Sequence, residues 1–332
     1  MNENIEVSII CNTYNHENYI RDALESFLMQ KTNFKFEVLI HDDASTDKTP
    51  EIIREYEEKY PDIVKPVYQK ENQYSQGIRY ASLYQYPRVK GKYIAFCEGD
   101  DYWTDPQKLQ KQYDILEEKP KIVMCVHKVQ VVDAEKKCLE GQVYPGAKLG
   151  LNFDQELTQN RLSDLFVKNK AYAFQTSSYF LRKELIYKEE RILLAEKMNG
   201  DEALLRVALL FGEYYYFNEV MSHYRRMTGT SLTDKISRFS VMEKIKFQFN
   251  FLDGMILFDE LSKRKYHKQT VYRVYAELLK LLLQYTENKR EIMQYKKGLK
   301  RRLKFSPFVS LKLDIAYTLY CLCPTLLRRK RK

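Results

Sequence analysis

The sequence predicts an α/β fold: a mostly parallel sheet flanked by helices, followed by a helical, basic C-terminal region. Three observations predict it. Short apolar runs alternate with amphipathic stretches from Val7 to Asp133. Two acidic clusters, "HDDAS" and "EGDD", follow apolar runs, where a parallel sheet presents the carboxyl ends of its strands. The charge is divided. Residues 231–332 hold 24 Lys and Arg against 9 Asp and Glu, and the other 31 and 36 of the totals of 55 and 45 lie in residues 1–230.

"VSIIC" (Val7 to Cys11) reads as a short buried strand. "ENYIRDALESFLMQ" follows as a helix, with Ile20, Ala23, Leu24 and Phe27 on one face. "FKFEVLIH" is the second strand, and "TDKTPEIIREYEEKYP" a helix with Pro50 near its start. "IVKPVYQ" is the third strand and "YSQGIRYASLYQY" a helix. "KYIAFC" is the fourth strand. "TDPQKLQKQYDILEEKP" is a helix, with Asp105 placed to cap it and Pro106 in its first turn. "KIVMCVHKVQVVD" is the fifth strand. Residues 134–170, with Gly141, Pro145, Gly146 and Gly150, read as loops and a short helix. Regular patterns resume in "FQTSSYFLRKELI" and "GDEALLRVALLFG", and from about Phe239 the chain reads as wholly helical. The domain expectation is a catalytic body over 1–230 and a helical region over 231–332, with the boundary near Thr230.

The chain has 332 residues and is 44% hydrophobic and 30% charged, enough for one large or two ordinary domains with a real core. Its six cysteines form no Cys-x-x-Cys pair and have no histidine cluster beside them, which argues against zinc and for buried thiols in a cytoplasmic protein. The start "MNENIEVSIIC" carries no basic-then-apolar leader, and no uncharged apolar run approaches the ~18 residues of a membrane span.

Hard oxygen ligands without His or Cys suit Mg²⁺ or Mn²⁺, and such ions take part of their shell from phosphates. A nucleotide diphosphate is therefore the natural partner of the two acidic clusters. No G-x-G-x-x-G follows the first strand, where "CNTYNHENY" stands, so a dinucleotide-binding dehydrogenase is disfavoured. A phosphorylation receiver would place acidic residues after the first and third strands, where the sequence has "NTYN" and "QKEN".

The ordered set "VSIICNTYNHENYIRDALESFLMQ", "FEVLIHDDASTDKTPEII", "GKYIAFCEGDDYWTDPQKLQKQ", "TSSYFLRKEL", "GDEALLRVALLFGEYYYFNEVMSHYRR" and "GTS" resembles the family 2 glycosyltransferases, which have a GT-A fold. The resemblance spans roughly residues 5–231. It implies an inverting, metal-dependent enzyme with a nucleotide-sugar donor, a UDP-sugar in the commonest case, and a hydroxyl of a saccharide or lipid-linked acceptor in cell-surface polysaccharide synthesis. It places Thr13, Tyr14 and Asn15 in the nucleotide pocket. Asp43 would read the base, with Asp42 in support. Asp100 would lie near ribose and metal, Asp101 would ligate Mn²⁺ or Mg²⁺, and Glu98 would be a bystander. Asp201 would be the catalytic base, with Glu202 in reserve. Arg225 or Arg226 would hold the diphosphate, since Met227 stands where the family often has histidine. Thr176, Ser177 and Ser178 could line the acceptor side or form a half-buried strand. Another reading of the same fold is a non-catalytic scaffold that binds sugar nucleotides or a membrane.

The last five residues are all Arg or Lys, and Ile315 to Leu327 is apolar but too short to span a bilayer. Each basic residue near an anionic leaflet contributes about 1 kcal/mol. The expectation is peripheral attachment to the cytoplasmic face of the membrane, near a lipid-linked acceptor. The alternative is a helix packed on the body with a free basic end. No nucleic-acid motif accompanies the charge.

Overall fold

The computed structural model describes residues 4–79, 81–168, 173–226, 236–303 and 315. The chain divides into two compact units, residues 1–191 with 204–237, and residues 192–203 with 238–332. Thr230, where the sequence suggested a boundary, is outside the described residues.

The first unit is built on a ten-stranded sheet. Its strands are β1 (Ile5–Thr13), β2 (Lys35–Asp42), β3 (Val64–Tyr68), β4 (Tyr93–Phe96), β5 (Tyr102–Trp103), β6 (Ile122–Val132), β7 (Cys138–Tyr144), β8 (Gln155–Leu157), β9 (Phe180–Arg182) and β10 (Glu213–Arg225). The order is β3-β2-β1-β4-β9-β6-β10-β5, with β7 on β6 and β8 on β10. One half is parallel, β2 with β3 and β1 with both β2 and β4. Beyond β4 the sheet is mixed: β9 runs antiparallel to β4 and β6, while β6 and β10 run parallel. Val7, Ile9, Ile10 and Cys11 of β1 are all buried, as a central parallel strand covered on both faces requires. Helix α1 (Ile20–Leu28) buries Ile20, Ala23, Leu24 and Phe27. Helix α2 (Thr49–Lys59) buries Ile53 and Tyr56, and α3 (Lys108–Glu118) buries Leu109 and Leu116.

Two sequence expectations need correction. "YSQGIRYASLYQY" is not a regular helix: its described residues give a five-residue π turn, Ala81–Gln85, followed by a 3-10 turn, Tyr86–Arg88. Gly77 at φ +74° and Pro87 interrupt helical continuity there. Residues 134–170 hold two antiparallel strands, β7 and β8, before the short helix α4 (Gln159–Lys168). Those strands pair at the margin of the sheet, and β7 is mostly exposed, so it lacks the apolar alternation that marks a half-buried strand.

Helices α5 (Glu189–Ala195) and α6 (Gly200–Phe211) follow β9. In the second unit, α7 (Val241–Leu261), α8 (His267–Gln284) and α9 (Lys289–Leu303) pack on Leu252, Ile256, Val274, Leu278, Leu281 and Ile292. α8 and α9 are separated by the turn Thr286–Asn288. Ser240 and Glu243 form a reciprocal capping box at the start of α7. Among the described residues no helix is long and apolar enough to cross a membrane. The expected anchor over 306–332 lies outside the described residues except for Ile315.

Candidate active site

Parallel pairing brings three strand ends to one edge of the sheet. Thr13 at the end of β1 stands opposite Asp42 at the end of β2, and Ile10 opposite Phe96 of β4. The segments "NTYN", "HDDAS" and "EGDD" therefore converge. A buried Gln85 binds two of the strands, its Nε2 donating to the carbonyls of Cys11 (3.1 Å) and Leu39 (3.0 Å). Asn15, at φ +55°, accepts the Thr46 N–H (2.8 Å) and donates its own N–H to Ser45 Oγ (2.9 Å). Asn tolerates this left-handed backbone better than most residues. Tyr14 is exposed beside it.

Gly99 lets the fourth-strand turn close onto the first. A Cβ there would meet Thr13 Oγ1 at 2.8 Å and His16 Nδ1 at 3.0 Å. Among the described residues, Thr13 Oγ1 and His16 Nδ1 are themselves buried without hydrogen-bond partners.

Asp101 is 1% exposed. Its Oδ1 accepts the Arg225 backbone N–H at 2.9 Å, and Gln175 Nε2 approaches Oδ2 at 3.5 Å. Burial, then the neighbouring Asp100, pushes its carboxyl well above the usual carboxylate range, with a further contribution from Glu98. The buried Asp100 faces His16 across 3.9 Å. Glu98 comes within 3.4 Å of Asn12 Nδ2.

Arg225 holds this turn from beneath. Its side chain is fully buried between the rings of Tyr19 (4.9 Å) and Tyr102 (4.8 Å). Nη1 donates to the Asp100 carbonyl at 2.7 Å, and Nη2 pairs with Asp22 of α1. The guanidinium is committed to positioning the acidic turn, which makes it a poor diphosphate clamp. Arg226 is half-buried and donates to Gln142 Oε1 (3.1 Å) and the Tyr144 hydroxyl (2.5 Å) of β7. Met227 lies outside the described residues.

The second acidic pair is also engaged. Asp42 is buried and accepts the Ser45 hydroxyl at 2.5 Å, and burial raises its pKa. Asp43 accepts the backbone N–H groups of Gln73 (2.7 Å) and Tyr74 (3.0 Å), one on each oxygen. A carboxylate oxygen has two acceptor sites, so each keeps capacity for a ligand donor. Asp43 thus fixes the 72–74 loop on which the exposed Tyr74 stands. Thr176–Ser178 form a 3-10 turn, not the half-buried strand the sequence allowed. Ser177 and Ser178 are fully buried and bonded to Ser222 Oγ (2.8 Å) and the Gln175 carbonyl (2.6 Å), so these two do not line an acceptor surface either. Asp201 opens α6 and accepts the Glu202 N–H at 2.8 Å. It belongs to the stretch 192–203 that groups with the helical unit.

The residues fit a divalent cation that is completed by a ligand. Among the described residues no three carboxylate, histidine or cysteine groups form a ready cage. Asp100 and Asp101 would supply one or two oxygens, as is usual for Mg²⁺ on a substrate phosphate. Added positive charge would offset both the burial and the neighbouring Asp100 that raise the Asp101 pKa. Sequence reasoning missed Gln85, Asp22, Tyr19, Tyr102 and His16. Gln85 gives no local signal, but His16 sits inside "NTYNHENY" and could have been questioned there.

A mixed α/β sheet with two carboxylate clusters at one strand edge places the candidate site where α/β proteins bind ligands. Comparison with known proteins is more specific: the model of glycosyl transferase family 2 matches residues 8–188, and the chain belongs to that family. An uncharacterized protein of Mycobacterium tuberculosis is 45% identical over 126 residues, 38% of this chain and 36% of its own length. The chain thus aligns with about a third of that relative. An uncharacterized glycosyltransferase of Nostoc sp. is 26% identical over 223 residues, 67% of this chain and 65% of its own. The minor teichoic acid biosynthesis protein GgaA of Bacillus subtilis is 27% identical over 227 residues, 63% of this chain and 46% of its own. Among solved structures, S. aureus TarS 1-349 in complex with UDP superposes with a TM-score of 0.53 at 18% identity, covering 91% of this chain and 73% of that one. The fold is of the GT-A type.

Proposed function

We propose that the chain is an inverting glycosyltransferase. It moves a sugar from a nucleoside diphosphate, in the first instance UDP, to a hydroxyl of a saccharide or lipid-linked acceptor in cell-surface polysaccharide synthesis. The observation that carries the reading is the acidic turn. Asp101 is a buried carboxylate crowded by Asp100 and Glu98 at the strand edge, an arrangement that a cation and a diphosphate would complete. Family membership, a teichoic acid biosynthesis relative and the fold of a UDP-bound protein support the same choice.

In this reading Asp43, with Asp42, Thr13, Tyr14 and Asn15, receives the nucleoside. Asp101 and Asp100 would hold Mn²⁺ or Mg²⁺, which would neutralise charge on the leaving diphosphate. The acceptor hydroxyl attacks the anomeric carbon from the face opposite the diphosphate. A glycosidic C–O bond forms as the C–O bond to the diphosphate breaks. The diphosphate leaves with the electron pair, and the hydroxyl proton passes to Asp201. General-base help of this kind contributes roughly 10²–10⁴-fold. Arg226 is the candidate for the diphosphate, since Arg225 is committed to the acidic turn. Arg225 acts through Asp100 and Asp101 and is a positioning residue. The basic tail holds the protein at an anionic cytoplasmic membrane face, which predicts that loss of residues 306–332 abolishes flotation with anionic liposomes; flotation that survives the truncation removes the anchor.

Donor hydrolysis with UDP-, GDP- and dTDP-sugars, with and without Mn²⁺, tests the reading. Metal-stimulated hydrolysis of one donor class that is lost in Asp101→Ala is the expected result. Hydrolysis unaffected by Asp101→Ala removes the metal assignment. No hydrolysis with retained nucleotide binding favours the scaffold.

A further inference from the structure

We infer that His16 is a donor-recognition residue, an N–H that works with the Asp100 carboxylate to hold one hydroxyl of the nucleotide-sugar. The inference rests on reading this edge as the donor site.

His16 is 8% exposed, and among the described residues its Nδ1 is buried with no hydrogen-bond partner. It lies against Gly99, 3.0 Å from where a Cβ would stand. Nδ1 has no acceptor among the described residues, so Nε2 is the ring nitrogen placed to donate. That nitrogen faces Asp100 Oδ2 at 3.9 Å, too far for a hydrogen bond.

The fold holds the ring at this distance from three sides. The His16 N–H donates to Thr49 Oγ1 (2.8 Å), and its carbonyl accepts the Tyr19 and Ile20 N–H groups (2.9 and 2.8 Å) as α1 begins. The ring packs edge-to-face on Tyr19 (6.3 Å), and Gly99 closes the Nδ1 side. Imidazole and carboxylate are thus presented as a donor and an acceptor that do not satisfy each other. A hydroxyl is the group that completes both, because it accepts from Nε2–H and donates to Asp100 with one oxygen. An ionised phosphate oxygen would satisfy only the imidazole, because it has no proton to give the carboxylate. The hydroxyl comes either from the ribose or from the transferred sugar.

Calorimetric binding to the full chain with Mg²⁺ separates these sources without relying on turnover. The probes are UDP, 2′-deoxy-UDP, 3′-deoxy-UDP and UDP-sugars, with the GDP series run in parallel. If the ribose supplies the hydroxyl, wild type prefers the ribonucleotide over one deoxy form by about tenfold, the size of one hydrogen bond to a charged group. His16→Ala then lowers that ratio to near one by weakening only the ribonucleotide. His16→Gln, whose amide nitrogen can reach the Nε2 position, restores part of it. If the transferred sugar supplies the hydroxyl, His16→Ala weakens UDP-sugar but not UDP. A purely structural His16 would weaken every probe by the same factor in His16→Ala, and that result overturns the inference. So does unchanged binding of all probes. If wild type binds none of the nucleotides, the donor-site reading itself falls, and this inference with it.

Discussion

At the scale of single residues, the site depends on groups that are expensive to place. Ala44 stands at φ +61° between Asp43 and Ser45, where a side chain costs roughly 1–2 kcal/mol. Ala44→Gly should raise stability by about 0.5–1 kcal/mol after the extra freedom of glycine in the unfolded chain is deducted, seen as a higher midpoint in urea. An unchanged or lower midpoint would mean that the neighbouring loop holds Ala44 without strain. Gly99→Ala should act in the opposite direction. Its methyl would enter the space of Thr13 Oγ1 and His16 Nδ1, and overpacking of this kind costs about 1–3 kcal/mol. Nucleotide affinity should fall with it. Arg225→Met should cost about 1–3 kcal/mol, because it leaves the buried Asp100 carbonyl unpaired, while the partly exposed Asp22 keeps Lys136. Chemical denaturation of the purified variant checks this, and a loss below 1 kcal/mol would show that the Tyr19 and Tyr102 rings hold the turn unaided.

At the scale of elements, the parallel half of the sheet was legible because strands buried on both faces read as apolar runs. β1, β2, β3 and β4 and the helices between the first three follow the sequence closely. The carboxylate clusters were legible for the same reason, since apolar runs end at defined points. Marginal strands such as β7 and β8 were not, because their pairing partners lie far away in sequence and their own pattern is polar. The role of Arg225 was also hidden. "YRR" says that cations are present, but only pairing between β6 and β10 shows that one points under the acidic turn and its neighbour toward β7. The strands also predict a pH response. Burial lowers the pKa of His41 in β2 to about 4 and that of His127 in β6 well below its ordinary value. Both rings are neutral in the folded state but take up protons near pH 6.5 when unfolded. Their contribution to stability is complete above pH 6.5 and is lost as the pH falls through the folded values. Urea midpoints between pH 8 and pH 4.5 should therefore decline below about 6.5, and His127→Gln should make the decline shallower. An equal slope in that variant would assign the decline to other groups.

At the scale of the whole molecule, the chain joins an acidic sheet-based unit to a basic helical one. A buried carboxyl beside other carboxylates is unfavourable on its own, and the pKa of Asp101, raised first by burial and then by Asp100, reflects that. A bound cation and diphosphate should reverse the penalty, so ligand and fold stability are linked. The most direct test is thermal unfolding of the full chain with UDP, GDP or dTDP, each with and without Mn²⁺, in wild type and Asp101→Asn. Nucleotide and Mn²⁺ together should raise the wild-type Tm by more than the two separate shifts combined, and Asp101→Asn should lose that surplus while still folding. A wild-type Tm that no nucleotide and metal move, or a surplus that Asp101→Asn keeps, would contradict a cation-assisted donor site at the acidic turn.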